Sequence, residues 1–164
     1  DLFGTTAKAG VIHDGEPLTT GSALLGGYEK ALPVQIAMMD IFEVGTGGGS
    51  IAKVEDGMLR VGPQSAGASP GPACYGLGGT EPTVTDCNLV LGRLAPDRFL
   101  GGEMMLDLAG AHQSIDSKIA APLDLGVMEA ADGILRIAAT KMAHMVRWVT
   151  TERGLDAGDF AMIA

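Results

Sequence analysis

Apolar and polar positions in the first half of the chain follow the short runs that are typical of β-strands. Residues 7–12 and residues 34–44 are two such runs, and an Asp-Gly pair lies close after the first of them. Residues 51–54 and 59–61 flank a second Asp-Gly pair. This pattern predicts a β-hairpin, because Asp-Gly suits a tight turn between two strands.

The second half carries apolar residues at three- and four-residue steps, which is the spacing of amphipathic helices. The longest such pattern predicts a helix over about residues 127–153, closed by Gly154. Its apolar stripe consists of Val127, Ala131, Ile134, Ala138, Met142, Met145 and Val149. Two shorter helices are predicted before it, one capped by Thr85 and Asp86 that ends at Gly92, and one from Leu108 that stops at Pro122. The order predicts a mixed α and β (α/β) fold, with a mixed sheet followed by packed helices.

Residues 62–82 show no periodicity and are rich in proline and glycine. Glycine makes up 25 of the 164 residues, about twice its usual share, and the glycines cluster between apolar runs. Such clustering indicates turns that need a positive φ, or backbone that closely approaches a ligand. A long loop inside a compact domain is usually functional, so we expect an ordered, rigid loop here.

Composition narrows the class of function. The net charge is −9 and the 11 lysines and arginines are scattered, which disfavours binding to nucleic acid. No apolar run has the length of a membrane span, so no membrane partner is expected. Cys74 and Cys87 lack the spacing of a metal finger, and no metal site is predicted. Two reduced thiols in a cytoplasmic protein are the expected state.

The first candidate for chemistry is the string Asp1-Leu2-Phe3-Gly4-Thr5-Thr6. Small residues let backbone N–H groups approach phosphate oxygens, and hydroxyls add further donors. An Asp beside such a turn can hold Mg²⁺ or a metal-bound water. The pattern also fits a plain turn between strands, held by side-chain to backbone hydrogen bonds.

Two further segments are candidates. Gly45-Thr46-Gly47-Gly48-Gly49-Ser50 offers backbone N–H groups for a phosphate or carboxylate, although a bulge or hinge also explains it. The loop that contains Cys74 leads to Asp86, which is either a catalytic carboxylate or a helix cap. Cys74 has no histidine nearby in sequence to activate it, so a buried structural thiol is favoured over a nucleophile.

These strings resemble the central region of the hydantoinase A family, which includes N-methylhydantoinase, 5-oxoprolinase and subunits of acetone and acetophenone carboxylases. The resemblance runs in order along essentially the whole chain. Four strings carry it most clearly: Gly45-Thr-Gly-Gly-Gly-Ser-Ile-Ala52, Val61-Gly-Pro-Gln-Ser-Ala-Gly-Ala68, Pro70-Gly-Pro-Ala-Cys-Tyr-Gly76 and Pro82-Thr-Val-Thr-Asp86.

The resemblance implies a fold of the actin-like group of ATPases, which includes sugar kinases and Hsp70. It implies ATP and Mg²⁺ as cofactors, and a second phosphate loop at residues 1–6 with Asp1, Gly4, Thr5 and Thr6 as its binding residues. The full enzyme is then an ATP-dependent hydrolase of cyclic amides or a related ketone carboxylase subunit. Its substrate is a small molecule, and its partner is a hydantoinase B-like subunit or domain.

The resemblance also implies that other family motifs lie outside these residues. We therefore expect the 164 residues to form one partial domain, the central segment of a hydantoinase A-like domain truncated at both ends. Phe3 stands where the family usually has glycine, so we expect the isolated chain to bind ATP weakly or not at all and to be inactive. The alternative is a non-catalytic module for binding or subunit assembly.

A final expectation concerns where the loops meet. Two loops with little side-chain bulk contribute little to a core, so their glycines are best explained by close approach to something else. We expect Gly47, Gly48, Gly49 and Ser50, as substrate-binding residues, to converge with residues 62–76 and Asp86 on a concave surface facing residues 1–6.

Overall fold

The computed structural model describes residues 2, 4–21, 23–25 and 32–163 of the chain. These residues form two compact units. The first unit comprises Asp1–Ala7 and Val44–Ala143, and the second comprises Lys8–Glu43 and His144–Ala164. Strands precede helices, and the predicted mixed α and β class is confirmed.

The strands are short, and within the described residues they pair two by two. The expectation of one mixed sheet is therefore wrong, because most strands have two or three residues and tight turns or irregular segments separate them. The pairs are β1 with β8, β2 with β3, β4 with β7, β5 with β6, and β9 with β10. The bounds are β1 Ala7–Ala9, β2 Ile12–His13, β3 Glu16–Pro17, β4 Thr19–Thr20, β5 Ala23–Leu25, β6 Leu32–Val34, β7 Met38–Met39, β8 Phe42–Val44, β9 Ser50–Glu55 and β10 Met58–Ser65.

The predicted hairpin is confirmed and is the longest pairing in the described residues. β9 and β10 run antiparallel, with Val61 opposite Ala52. Asp56 and Gly57 at the turn have φ of 53° and 74°, the two positive values that a two-residue hairpin turn needs. The register shifts between Val61 and Ser65, and Ser65 pairs with Ser50 at the start of β9. The chain then enters the segment rich in proline and glycine that ends at residue 82 (the proline-rich loop).

The helices are α1 Val84–Val90, α2 Leu108–Ile115, α3 Ala121–Leu123 and α4 Val127–Val149. A π-helical segment, Asp116–Ala120, joins α2 to α3 without a break. The helix therefore continues through Pro122, where we expected it to stop, and ends at Asp124 with φ of 53°. A wider π turn in front of the proline relieves the clash that its ring makes with the preceding turn.

α4 is the longest helix, as predicted, but it ends at Val149 rather than Arg153. Thr150 leaves the helical conformation with φ −117° and ψ −81°, and a short 3-10 turn follows before Gly154. The first part of the predicted apolar stripe packs in the core of the first unit: Ile134 and Ala138 are buried there, together with Ile115, Ile119 and β-strand residues. This core fixes the hairpin and α1, which carry the loops described next.

Candidate functional site

The turn at Gly4, Thr5 and Thr6 (the N-terminal turn) contacts the segment at residues 45–50 (the glycine loop). The Gly49 N–H donates to the Gly4 carbonyl, with an N···O distance of 2.6 Å. The Thr5 hydroxyl donates to the Ser65 hydroxyl at 3.4 Å. The structure therefore brings the first two candidate motifs together. Asp1 and Phe3 lie outside the described residues.

The glycine loop folds on itself around a serine. The Gly47 N–H donates to Ser50 Oγ at 2.8 Å, and the Ser50 N–H donates to the Gly47 carbonyl at 3.1 Å. The Gly48 N–H takes no part in the hydrogen bonds of the described residues. Most N–H groups of this loop are thus used by the protein, which differs from the cradle of free donors that the sequence suggested.

Thr46 in the same loop was not singled out from the sequence. Its hydroxyl is buried and has no hydrogen-bond partner among the described residues. A buried polar group without a partner costs about 1–3 kcal/mol, and such groups often mark a functional position.

Glycine is required in this loop because other groups lie too close for a side chain. A Cβ on Gly49 would lie 2.7 Å from Ser65 Oγ and 2.9 Å from the Gly4 carbonyl oxygen. A Cβ on Gly48 would lie 3.0 Å from Thr85 Oγ1. The Gly48 carbonyl accepts from the Thr85 N–H at 2.8 Å and from the Thr85 hydroxyl at 2.9 Å. The glycine loop is therefore clamped between the N-terminal turn and the start of α1.

Asp86 is fully buried and organises the proline-rich loop. One oxygen accepts from the Cys74 N–H at 2.7 Å, and the other accepts from the Thr83 N–H at 2.8 Å and the Ala73 N–H at 3.3 Å. The Thr83 hydroxyl donates to the same carboxylate at 2.7 Å. Asp86 and Thr83 form a capping box at the start of α1, so the predicted cap is present, with Thr83 rather than Thr85 as the N-cap.

A catalytic role for Asp86 stays a prediction. Its carboxylate is 0% exposed and is surrounded by four protein donors. These contacts make it the residue that positions residues 73–83 around the start of α1.

Both cysteines are buried and free. Burial raises the pKa of the Cys74 thiol, and the negative charge of Asp86 and a hydrogen bond to it raise it further. Burial, followed by the charge of Asp86, also raises the pKa of Cys87. These shifts keep both thiols protonated at neutral pH, which supports the prediction of structural thiols.

We predict that iodoacetamide modifies neither cysteine in the folded protein at pH 8 but modifies both after denaturation. Mass spectrometry of the intact protein measures this directly. The folded state holds the thiol protons more tightly than the unfolded chain, whose thiol pKa is about 8.5. The contribution of the two thiols to the free energy of unfolding is therefore complete below about pH 8.5, the thiol pKa of the unfolded chain. It declines as the pH rises above that value, because the unfolded chain then loses the thiol protons that the folded protein retains. Rapid modification of Cys74 in the native protein contradicts the prediction.

An open cleft of about 360 Å³ lies between the proline-rich loop and the helical segment that begins with α2. Its lining includes Gly76, Gly78, Gly79, Gln113, Ser117 and Lys118. The glycine loop and Asp86 do not line it. The predicted residues are thus joined by hydrogen bonds, but this cleft is not the concave surface that we expected them to share.

The sequence-predicted residues form one connected set in the first unit. Gly4 and Thr5 contact the glycine loop and Ser65, and Gly48 contacts the residue that precedes Asp86. Two backbone N–H groups of residues 62–76, those of Ala73 and Cys74, donate hydrogen bonds to the Asp86 carboxylate. Ser65, Thr46 and Thr83 were not singled out, although all three lie in strings that carry the resemblance.

Comparison with known proteins gives a consistent result. The model of the hydantoinase/oxoprolinase family matches residues 1–164. Caprolactamase subunit alpha of Pseudomonas jessenii is 51% identical over 131 residues, which are 79% of this chain and 19% of that protein. The crystal structure of ATP-dependent caprolactamase from Pseudomonas jessenii has a TM-score of 0.82 and 43% identity, over 97% of this chain and 23% of that chain.

A nucleotide-free structure of acetone carboxylase has a TM-score of 0.85 and 29% identity, over 98% of this chain and 22% of that chain. These likenesses confirm the expected fold, that of the actin-like ATPases. The chain spans a quarter or less of the length of three curated relatives that it matches. Within the described residues, no helix is both long and apolar enough to cross a membrane.

Proposed function

The chain belongs to the hydantoinase/oxoprolinase family, and on that premise we propose that it is part of an ATP-dependent enzyme that opens cyclic amides or carboxylates ketones. The observation that carries the proposal is the direct contact between the N-terminal turn and the glycine loop, at the Gly49 N–H and the Gly4 carbonyl. Both segments carry the resemblance to the family, and in this proposal their junction brings a phosphate of ATP close to the substrate oxygen that accepts it.

The N-terminal turn fits the phosphate groups of ATP. Gly4 and Thr5 are exposed, and the hydrogen bonds described at this turn use the Gly4 carbonyl and the Thr5 hydroxyl, while the backbone N–H groups of Gly4, Thr5 and Thr6 take no part in them. Exposed N–H groups at a tight turn suit phosphate oxygens. In this proposal Asp1 binds Mg²⁺ with the phosphates, as the family pattern implies.

When bound, ATP would supply the phosphoryl group that activates an amide or enol oxygen of the substrate, with ADP as the leaving group. In this proposal the glycine loop orients that substrate: its glycines let the loop pack directly against the N-terminal turn, and Ser50 holds the loop through the Gly47 N–H. Asp86 acts on the site by holding residues 73–83, and a direct catalytic role remains part of the proposal. The caprolactamase relative is named as a subunit, which supports a second subunit as partner, and we propose a hydantoinase B-like one.

We place the protein in the cytoplasm. Two buried thiols that form no disulfide suit a reducing compartment, and an ATP-dependent reaction needs the cytoplasmic nucleotide pool.

The proposal predicts that the full-length protein, with its partner subunit, releases phosphate from ATP only when a suitable substrate is present. Caprolactam, 5-oxoproline and hydantoin test the hydrolase arm, and acetone or acetophenone with bicarbonate tests the carboxylase arm. We expect a stimulation of at least about tenfold over ATP alone in one arm, because substrate completes the site. ATP binding without turnover in either arm favours the alternative, a binding or assembly module, and absence of ATP binding overturns the proposal.

A further inference from the structure

We propose that Ser65 is a further phosphate-binding residue, whose hydroxyl donates to a phosphate oxygen at the junction of the N-terminal turn and the glycine loop. This inference rests on the proposed function and adds a residue to the same site. Ser65 is the last residue of β10, beyond the shift in register, and its side chain lies beside both segments.

The position of Ser65 is fixed from two sides. The Thr5 hydroxyl donates to Ser65 Oγ at 3.4 Å, and the Gly67 N–H donates to the same oxygen at 3.2 Å. The oxygen also lies only 2.7 Å from the position that a Cβ on Gly49 would take. Ser65 therefore contacts the N-terminal turn and the glycine loop at the same point.

The hydrogen-bond inventory of Ser65 leaves one group unused. A serine hydroxyl has one proton to donate and two lone pairs that accept. With the Thr5 hydroxyl as the donor in their contact, the two acceptor positions are filled by Thr5 and Gly67, and the Ser65 proton then has no acceptor among the described residues. Both contacts lie at the protein surface, so a bound anion can reach this proton.

Most of the other hydroxyls of the neighbouring segments are less suited to a ligand. Ser50, Thr46, Thr83 and Thr85 are buried, and Thr5 gives its proton to Ser65. Ser65 thus combines accessibility, a fixed position and an unused donor. A negatively charged oxygen gains most from such a donor, because hydrogen bonds to charged groups are the stronger ones.

The test uses the full-length protein and Mg²⁺-ATP, with affinity measured by calorimetry. Ser65→Ala is expected to weaken ATP binding by about tenfold or more, with an unchanged thermal midpoint. Ser65→Thr keeps the hydroxyl and is expected to restore most of the affinity. Ser117→Ala is the matched control, because the Ser117 hydroxyl is exposed and donates only to the Gln113 carbonyl of its own helix.

Each outcome decides the proposal. Equal ATP affinity of Ser65→Ala and the unaltered protein overturns the role of Ser65 and leaves the proposed function in place. Loss of affinity in both Ser65 variants, together with a lower thermal midpoint, assigns Ser65 a structural role and also overturns it. If the unaltered protein binds no ATP, the proposed function fails and this inference fails with it.

Discussion

Gly49→Ala is expected to lower the free energy of unfolding by about 2 kcal/mol and to weaken ATP binding in the full-length protein by at least about tenfold. The added methyl group would lie 2.9 Å from the Gly4 carbonyl oxygen and 2.7 Å from Ser65 Oγ. The first of these is backbone, so relief requires the N-terminal turn to move away from the glycine loop. Chemical denaturation and calorimetry measure the two effects.

The matched control is Gly133→Ala in α4. The nearest described atom to a Cβ there is Leu59 Cδ2 at 3.5 Å, which is an ordinary contact. Because alanine is favoured over glycine inside a helix by up to about 1 kcal/mol, this change is expected to stabilise the protein and to leave ATP affinity unaltered. If Gly49→Ala has the stability and ATP affinity of the unaltered protein, the glycine loop and the N-terminal turn separate without a cost in free energy. That result contradicts the prediction.

The parts of the fold that were predicted correctly depend on local signals. The Asp56-Gly57 turn specifies the β9–β10 hairpin through its own backbone preferences. The apolar stripe of α4 repeats along 23 residues, so its period is unmistakable. The mixed α and β class, and the order in which strands precede helices, follow from the hairpin and from α4 without any knowledge of how the two elements pack.

Element ends were predicted less well, because they depend on competing local bonds. Thr83 and Thr85 are both plausible caps in the sequence, and the choice falls to Thr83 because Asp86 three residues later completes the capping box. The end of α4 at Val149 follows from the conformation of Thr150. Arg153 and Gly154 belong to the short turn that comes afterwards, although both are typical of a helix end.

The site was predicted as a set of strings but not as a geometry. Free N–H groups were expected in the glycine loop, whereas the Gly49 N–H is used by Gly4, which lies 45 residues earlier in the numbering. Ser65 was overlooked because its significance comes from Thr5, 60 residues away. Contacts over such separations leave no periodic trace in a sequence, so only the folded structure reveals them.

Asp86→Asn is expected to lower the free energy of unfolding by at least about 3 kcal/mol, the largest effect that we predict. The carboxylate accepts from the N–H groups of Ala73, Cys74 and Thr83 and from the Thr83 hydroxyl. An asparagine keeps one acceptor oxygen and turns an NH₂ group toward donors, so at least one buried N–H group loses its partner. Urea denaturation of the full-length protein measures the change, when the unfolding is monitored by a probe that lies within these 164 residues.

Asp107→Asn supplies the matched control for Asp86→Asn, because Asp107 is exposed and caps α2 with a single bond to the Gly110 N–H at 2.9 Å. Asparagine and aspartate are nearly equal as N-caps, so we expect a change below about 0.5 kcal/mol. Asp86→Asn also distinguishes a structural role of Asp86 from a direct catalytic role. If the role is structural, the variant loses stability and turnover together, because residues 73–83 lose the group that positions them. If the variant unfolds like the unaltered protein and only turnover is lost, the cap is dispensable and Asp86 acts on the substrate directly.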